Sequence, residues 1–402
     1  MDRGHPDAGV ELQGTVARSR CLSRSCTSAA ILTAVFGVLL ASSPALACDL
    51  CSVSGQPLSR EIQEASVVVF GPVVNARLAP DGINGTSELR LDAVLKGENL
   101  LGGAKTLTLP QFVPPDGKTR YLIFADFRNG QLDPYRGIPL ASDRIVRYLK
   151  EAPPWLDEKA SVEQRASRLL YFFPFLQDPE PDIAADAFKE WALAGNREVG
   201  IIADRVPAEP LRRWLMDPKT PANRLGLYAF LLGAAGTRQD AELLRRLILI
   251  PDQRTAPALD GLLAGYIRLE PQEGWDLAAR VIADPGRSFV QKHAVLRLLR
   301  FYYGYQGNEV RPQIVRCSSL MLDQVDVQDL MVDQLHAWKI WDLTDKVLAL
   351  FPKAQAPITK RAIVRYALLC PLPQAKQFVQ SLRQTDPKLV RDVAESLRLD
   401  RN

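Results

Sequence analysis

EAPPWLDEKAS, Glu151–Ser161, is where the chain changes its period. Its Pro153-Pro154 pair cannot continue a helix, because proline lacks the N–H and its ring crowds the preceding turn. Upstream, apolar residues alternate or gather in short β-branched runs. Downstream they recur at spacings of three and four, the period of a helix face. The two halves need different architectures, so a domain boundary is expected here, with one domain over 48–150 and another over 151–402.

Working back from the boundary, Asp143–Lys150 reads as a short closing helix. Before it, VVVFGPVV (Val67–Val74) is β-branched and broken by Gly71 and Pro72, as at a bulge or a barrel bend. SELRLDAVLKG (Ser87–Gly97) sets Leu89, Leu91, Ala93 and Leu95 on one side and Glu88, Arg90 and Asp92 on the other. TLTLP (Thr106–Pro110) and RYLIFADF (Arg120–Phe127) follow, separated by loops rich in Gly and Pro. Four or five short strands in so little chain predict a small antiparallel barrel, closed or half-closed, because closure removes exposed edges. Ahead of them, SREIQEA (Ser59–Ala65) reads as a helix capped by Ser59.

Working forward, Ile183, Ala184, Ala187, Phe188 and Trp191 make one apolar stripe. Asp-Pro pairs at 178, 217 and 284 each lead into a helix, since Asp accepts the free N–H groups there and Pro fits the first turn. Helix pairs are expected near Leu225–Leu249, Pro257–Ala283, Ser288–Leu320, Val327–Leu350 and Pro357–Arg383. Their starts fall roughly 30 to 40 residues apart, the range of two-helix repeats. The expected fold class is therefore α+β multidomain: a small antiparallel OB-like β-barrel followed by an all-α helical-repeat domain, a HEAT-like irregular α-solenoid.

The N-terminal end reads as an address. Ala29–Ala41 is an apolar run without charge, preceded by arginines and followed by Ala45-Leu46-Ala47, a small-residue cleavage pattern. Residues 1–47 are thus expected to be a secretory signal, and the protein to be exported to the periplasm, the cell surface or the medium. No later run is long and apolar enough to cross a bilayer, so no transmembrane helix is expected. The 402 residues carry a formal charge of only +4, with both signs interspersed, which argues against nucleic acid as a partner.

ALACDLC, Ala45–Cys51, places that cleavage pattern directly against a Cys-x-x-Cys pair. Cys48 is a lipid-anchor candidate, since an acylated thiol follows a small residue. Cys48 and Cys51 together are a redox candidate, although no strand precedes them to build a thioredoxin-like active site. They are also a plain disulfide candidate, and Cys48, Cys51, Cys317 and Cys370 allow three pairings among the four.

Beyond these thiols the chain offers no catalytic residue, metal site or cofactor motif. His293 and His336 stand far apart, in no H-E-x-x-H arrangement. The acidic pairs Asp323/Asp326 and Asp342/Asp345 read as solvated faces or caps. Two aromatic clusters remain: RFYYGY, with Tyr302 and Tyr303, and HAWKIWDL, with Trp338 and Trp341. These four are core residues or, if exposed, contact anchors.

The order of N-terminal cysteine pair, short helix, EASVVVFGPVV, LDAVLKG and RYLIF resembles the netrin/tissue-inhibitor-of-metalloproteinase type of OB-fold. That resemblance implies a first cysteine able to chelate a protease zinc through its amine and carbonyl. Here the cysteine would be Cys48, in C-x-x-C where the family has C-x-C. CDLCSVSGQPLSREI, LLYFFPFLQDPEPDIAADAFKEWA, QDLMVDQLHAWKIWDLTDKVLALF and ALLCPLPQAKQFV together resemble a family of exported bacterial proteins to which no reaction is assigned. The expectation is an exported, non-enzymatic binding or scaffold protein whose partner is another envelope or secreted protein. Thiol-disulfide or electron-transfer chemistry at Cys48 and Cys51, and metalloprotease inhibition through the mature N-terminus, stand as alternatives.

Overall fold

The run Val67, Val68, Val69 and Phe70 puts an apolar residue on both sides of the pleat, and all four side chains are buried. A strand with two buried faces belongs in the middle of a sheet. It lies there. The computed structural model describes residues 49–51, 55–128, 130–140 and 142–399. The expected signal and Cys48 fall outside them.

Helix α1 (Leu58–Glu64) leads into β1 (Val67–Leu78), β2 (Gly85–Arg90), β3 (Ala93–Lys96), β4 (Thr106–Leu109), β5 (Arg120–Arg128) and β6 (Gln131–Leu140). All pairings are antiparallel, along the path β4-β2-β1-β5-β6, with β3 added to β1. The first half of β1 pairs with β3 and β5 and its second half with β2, and the register shifts between Val73 and Asn75. Gly71 stands at that handover. A Cβ there would lie 1.7 Å from the Arg90 carbonyl oxygen, so only glycine lets the two backbones come this close.

The sheet does not close, which corrects the closed form of the expected barrel. β4 pairs with β2 over only four residues, and β6 carries Pro134 and Pro139, which have no N–H to offer a further strand. Short length and proline protect the two edges in place of closure. β6 itself is an unexpected sixth strand.

Alternate residues of β1 and β5 feed two different cores. Val67, Val69, Ile123 and Ala125 join Leu89, Leu107 and Leu109 in a small cluster within the sheet. Val68, Phe70, Leu122 and Phe124 face the other way, into a large cluster that runs from Leu50 to Val393. The sheet therefore shares its second core with the helices, and this is why RYLIFADF reads as a run instead of an alternation.

Helix α2 (Arg144–Glu151) closes the sheet region, and the chain then passes through the proline pair into α3 (Val162–Phe172). The rest is α4 (Pro181–Ala192), α5 (Asn196–Ile202), α6 (Ala208–Met216), α7 (Ala222–Ala235), α8 (Arg238–Leu249), α9 (Leu259–Leu269), α10 (Pro271–Ala283), α11 (Phe289–Gln306), α12 (Arg311–Leu322), α13 (Gln328–Ala337), α14 (Thr344–Leu350), α15 (Pro357–Leu369), α16 (Pro373–Thr385) and α17 (Pro387–Leu399). The fold is thus α+β, an antiparallel sheet followed by helices, and each expected pair is present from α7/α8 to α15/α16. Ser161 and Ser288 cap their helices reciprocally with Gln164 and Gln291, and Pro stands in the first turn of α4, α10, α12, α15 and α16. Leu225–Gly233 of α7 and Leu259–Ile267 of α9 are buried without a break, so these two helices form the centre of the helical part.

Candidate functional site

The segment between the two cysteines is hydrogen-bonded to the helices. Asp49 N–H donates to Asn196 Oδ1 (3.0 Å), and Asn196 Nδ2 donates back to the Asp49 carboxylate (2.7 Å). Leu50 is buried in the large core, and Cys51 packs against it. A Cβ on Gly226 of α7 would meet the Leu50 carbonyl oxygen at 3.0 Å. Burial raises the Asp49 carboxyl above its ordinary range, while Asn196, Arg300 and Arg297 pull it back. The chain just after Cys48 is therefore held by α5, α7 and α11.

A second tie follows a few residues on. Ser59, expected as a helix cap, makes no capping bond, since α1 begins one residue earlier, after Pro57. Its hydroxyl donates instead to Glu190 Oε1 (2.5 Å) and accepts from Arg168 Nη2 (3.1 Å). Arg168 Nη1 donates to Glu190 Oε2 (2.7 Å), and its guanidinium lies over the rings of Trp155 and Phe172 at 4.9 and 5.1 Å. One turn before Glu190, Asp186 accepts from Leu58 N–H (2.7 Å) and from the Tyr148 hydroxyl (2.8 Å). Two carboxylates and one arginine thus sit buried where α1, α2, α3 and α4 meet.

Burial, with the Glu190 charge beside it, pushes the Asp186 carboxyl up to about 7 against the pull of its two donors. Burial also raises Glu190, opposed by Arg168. The folded state therefore keeps a proton on Asp186 that the unfolded chain loses near 3.8. This contribution is greatest below that value and falls as pH rises toward about 7. Asp186→Asn still accepts from Leu58 N–H and can donate to the Tyr148 oxygen. We expect urea midpoints of wild type minus variant to fall across this window and to be flat above it. A flat difference throughout would show that Asp186 carries its charge in the fold.

Of the aromatic candidates, Tyr302 is fully buried, its hydroxyl bonded to the Ala264 carbonyl (2.9 Å). Tyr303 is half-buried and stacks on Trp338 with ring centres 4.7 Å apart. Trp341, also half-buried, meets Tyr366 edge to face and lines a cleft with Asp333, His336, Lys339 and Arg365. Tyr302 is thus a core residue, Tyr303 and Trp338 form a stacked pair, and Trp341 reaches a cavity wall. Of the acidic residues expected as solvated faces or caps, Asp323 pairs with Lys346, Asp326 with Lys292 and Asp342 with Arg311, and all three side chains stay 38–54% exposed. Cys317 and Cys370 are buried thiols, and burial pushes Cys317 up to about 12. Cys317 is thus not poised for thiolate chemistry at neutral pH.

One surface feature escaped sequence reasoning. Beyond residue 161, nine large apolar side chains are exposed among the described residues. Seven of them, Met216, Leu249, Ile250, Phe289, Val290, Val325 and Ile358, stand at the turns α6–α7, α8–α9, α10–α11, α12–α13 and α14–α15. Short turns reverse the chain at each step, so every second turn falls at the same end of the helix pairs. At the turns of the opposite end one large apolar side chain is exposed among the described residues, Ile201 before the α5–α6 turn, at 37%. On this alternation the five turns share one edge of the helical part, an apolar rim with Val325 and Ile250 at 85% and 80% exposure.

Among the described residues, no group of three or more His, Cys, Asp or Glu could hold a metal, and no helix is long and apolar enough to cross a membrane. Compared with protein-family models, curated proteins and solved structures, the chain finds no match.

Proposed function

We propose that this chain is an exported, non-enzymatic binding or scaffold protein that engages another envelope or secreted protein along the apolar rim. The rim carries the reading. Natural soluble chains rarely leave contiguous apolar surface exposed, and where they do it marks contact with a partner. Between the apolar residues stand Asp217, Asp252, Asp284, Asp323 and Asp326 alongside Lys219, Arg254, Arg287 and Lys353. An anionic lipid surface selects a basic face, so this mixture of signs favours a protein.

The finer architecture belongs to the same proposal. We read the sheet as OB-like, of the netrin/tissue-inhibitor-of-metalloproteinase type, because a long bent first strand is shared by two halves of the sheet and lies at the middle of its path. We read the helices as HEAT-like. Arg238–Glu270, Arg297–Asp260, Lys292–Asp326 and Arg365–Asp333 link residues 32 to 37 apart, so each pair of helices from α7/α8 to α15/α16 is tied to the next by a repeating ionic contact. The burial of Leu50 and the Asp49–Asn196 bonds give the N-terminal segment a structural role, which favours this reading over inhibition by a freely presented N-terminus.

Val325→Asp with Ile250→Asp changes two side chains that make no core contact, so the fold is expected to stay within about 0.5 kcal/mol of wild type. Crosslinking capture from the native envelope fraction, quantified for wild type and variant side by side, is expected to lose at least about tenfold of its specific partner, the loss of a central hot spot. Equal capture by both would sink the rim as the contact surface.

A further inference from the structure

At the opposite rim, a cleft of about 730 Å³ lies among α13, α15 and α17 and is lined by Asp333, His336, Lys339, Trp341 and Arg365, with Leu369, Pro371 and Leu397 as its apolar wall. Its size is that of a small-molecule or peptide-end pocket. We propose that this cleft binds a carboxylate carried on an apolar or aromatic body. The inference is independent of the rim, and it concerns turns the rim does not use.

Three observations carry it. Lys339 is the one non-glycine residue with positive φ among the described residues, at 56°. It stands just past the end of α13, where Lys339 N–H donates to the His336 carbonyl (3.0 Å) and Ile340 N–H to the Leu335 carbonyl (2.9 Å). That pattern closes a helix and ordinarily takes glycine, because a side chain crowds the backbone in the left-handed region. A lysine kept there, at the mouth of a cleft, is strain of the kind found at binding sites. Among the described residues its ammonium has no ion-pair partner.

The second observation is Arg365. Its Nη1 donates to Asp333 Oδ1 (2.9 Å), but its Nε is buried and has no acceptor among the described residues. That enclosed N–H is out of a ligand's reach, whereas the guanidinium, on a side chain 30% exposed that lines the cleft, has further N–H groups to offer an arriving carboxylate. Third, the apolar floor is held rigid. The Trp341 carbonyl accepts from Thr344 Oγ1 (2.7 Å), its ring meets Tyr366 at 4.9 Å, and the Tyr366 hydroxyl is bonded within the same turn.

The charges agree with one carboxylate. Burial and the nearby Arg365 hold His336 below its usual range, opposed by Asp333, so the imidazole is neutral near pH 7. Lys339 and Arg365 against Asp333 then leave a single positive charge. The apolar wall and Trp341 accept the body that carries the acid.

A carboxylate on an apolar body comes either as a free small acid or as the C-terminus of a peptide ending in an apolar residue. Calorimetric titration of the whole protein with 4-phenylbutyrate and with a hexapeptide ending in leucine, each beside its amide, tests the inference and separates the sources. The expected result is binding of at least one acid, with its amide weaker by about tenfold or more. The tighter of the two acids identifies the source. Lys339→Gln and Lys339→Gly are expected to weaken the acid by a similar factor, and the glycine variant keeps the fold because it suits the left-handed position. The rim variant is expected to bind the acid as wild type does. Equal binding of acid and amide, no binding of either acid at millimolar concentration, or lysine variants that bind like wild type would overturn it.

Discussion

Arg168→Met is expected to destabilise the protein by about 3–5 kcal/mol, the range found when one member of a buried ion pair is removed. The side chain has room: methionine follows the aliphatic stem of the arginine and still touches Trp155 and Phe172, so little packing is lost. What is lost is the only cation bonded to Glu190 among the described residues, and the Glu190 carboxylate is fully buried. Glu190 must then stay charged without a partner or take up a proton beside Asp186. Ser59 cannot compensate, because a hydroxyl carries no charge and its oxygen has lost the Arg168 donor. Adding Glu190→Gln to the variant removes the orphaned charge, and the double change is expected to recover at least half of the loss. Urea unfolding of the three proteins checks this. A single variant within about 1 kcal/mol of wild type would mean that Glu190 is hydrated or already neutral.

The residues of this network mark where sequence reading stops. The apolar stripe Ile183, Ala184, Ala187, Phe188 and Trp191 was legible because burial follows the helical period, and all five are buried. Asp186 and Glu190 flank that stripe, one turn apart, and in sequence they look like a solvated edge. Their burial depends on α1 and α3 arriving from elsewhere in the chain, which no local pattern encodes. A visible signal was the spacing itself: two acids four apart, hemmed in by apolar neighbours, with Arg168 one helix earlier.

The sheet divides in the same way. β1 and β5 were legible as runs of apolar residues, and β1 in addition through Gly71-Pro72. β6 was hidden by Pro134, Gly137 and Pro139, which argue against a strand unless it is an edge. The dipeptide Asn129-Gly130, between RYLIFADF and QLDPY, is the hairpin signal that could have revealed it. Closure of the sheet was not legible at all, since it depends on how edges are protected. The left-handed Lys339, and Ile250 and Val325 of the apolar rim, are invisible for a related reason: they lie in turns, where neither helical nor strand period applies, while the other five rim residues sit in the terminal turns of helices.

Gly261→Ala carries the second large expected effect, and here two contributions of opposite sign compete. Alanine in a helix interior is favoured over glycine by about 1 kcal/mol, so in an isolated α9 the change would stabilise. In the folded protein a Cβ at Gly261 would lie 2.2 Å from both the Cα and the carbonyl oxygen of Gly226. Those are backbone atoms of α7, a helix buried along most of its length, and they cannot swing aside as a flexible side chain can. The next turn has the same construction: a Cβ on Gly265 would lie 2.1 Å from the Ala229 carbonyl oxygen, so the two helices touch backbone to backbone. Parting them to admit a methyl group opens the contact along both helices. It also shifts Gly226, against which the Leu50 carbonyl rests. Overpacking of about 1–3 kcal/mol, at its upper end for a rigid neighbour, outweighs the propensity gain. The net loss is expected to be about 2 kcal/mol, with hydrogen exchange at Asp49 N–H accelerated beyond the global change because the N-terminal segment loosens first. A rise in the urea midpoint would mean that α7 and α9 stand further apart, and that the glycines of α9 serve no close contact.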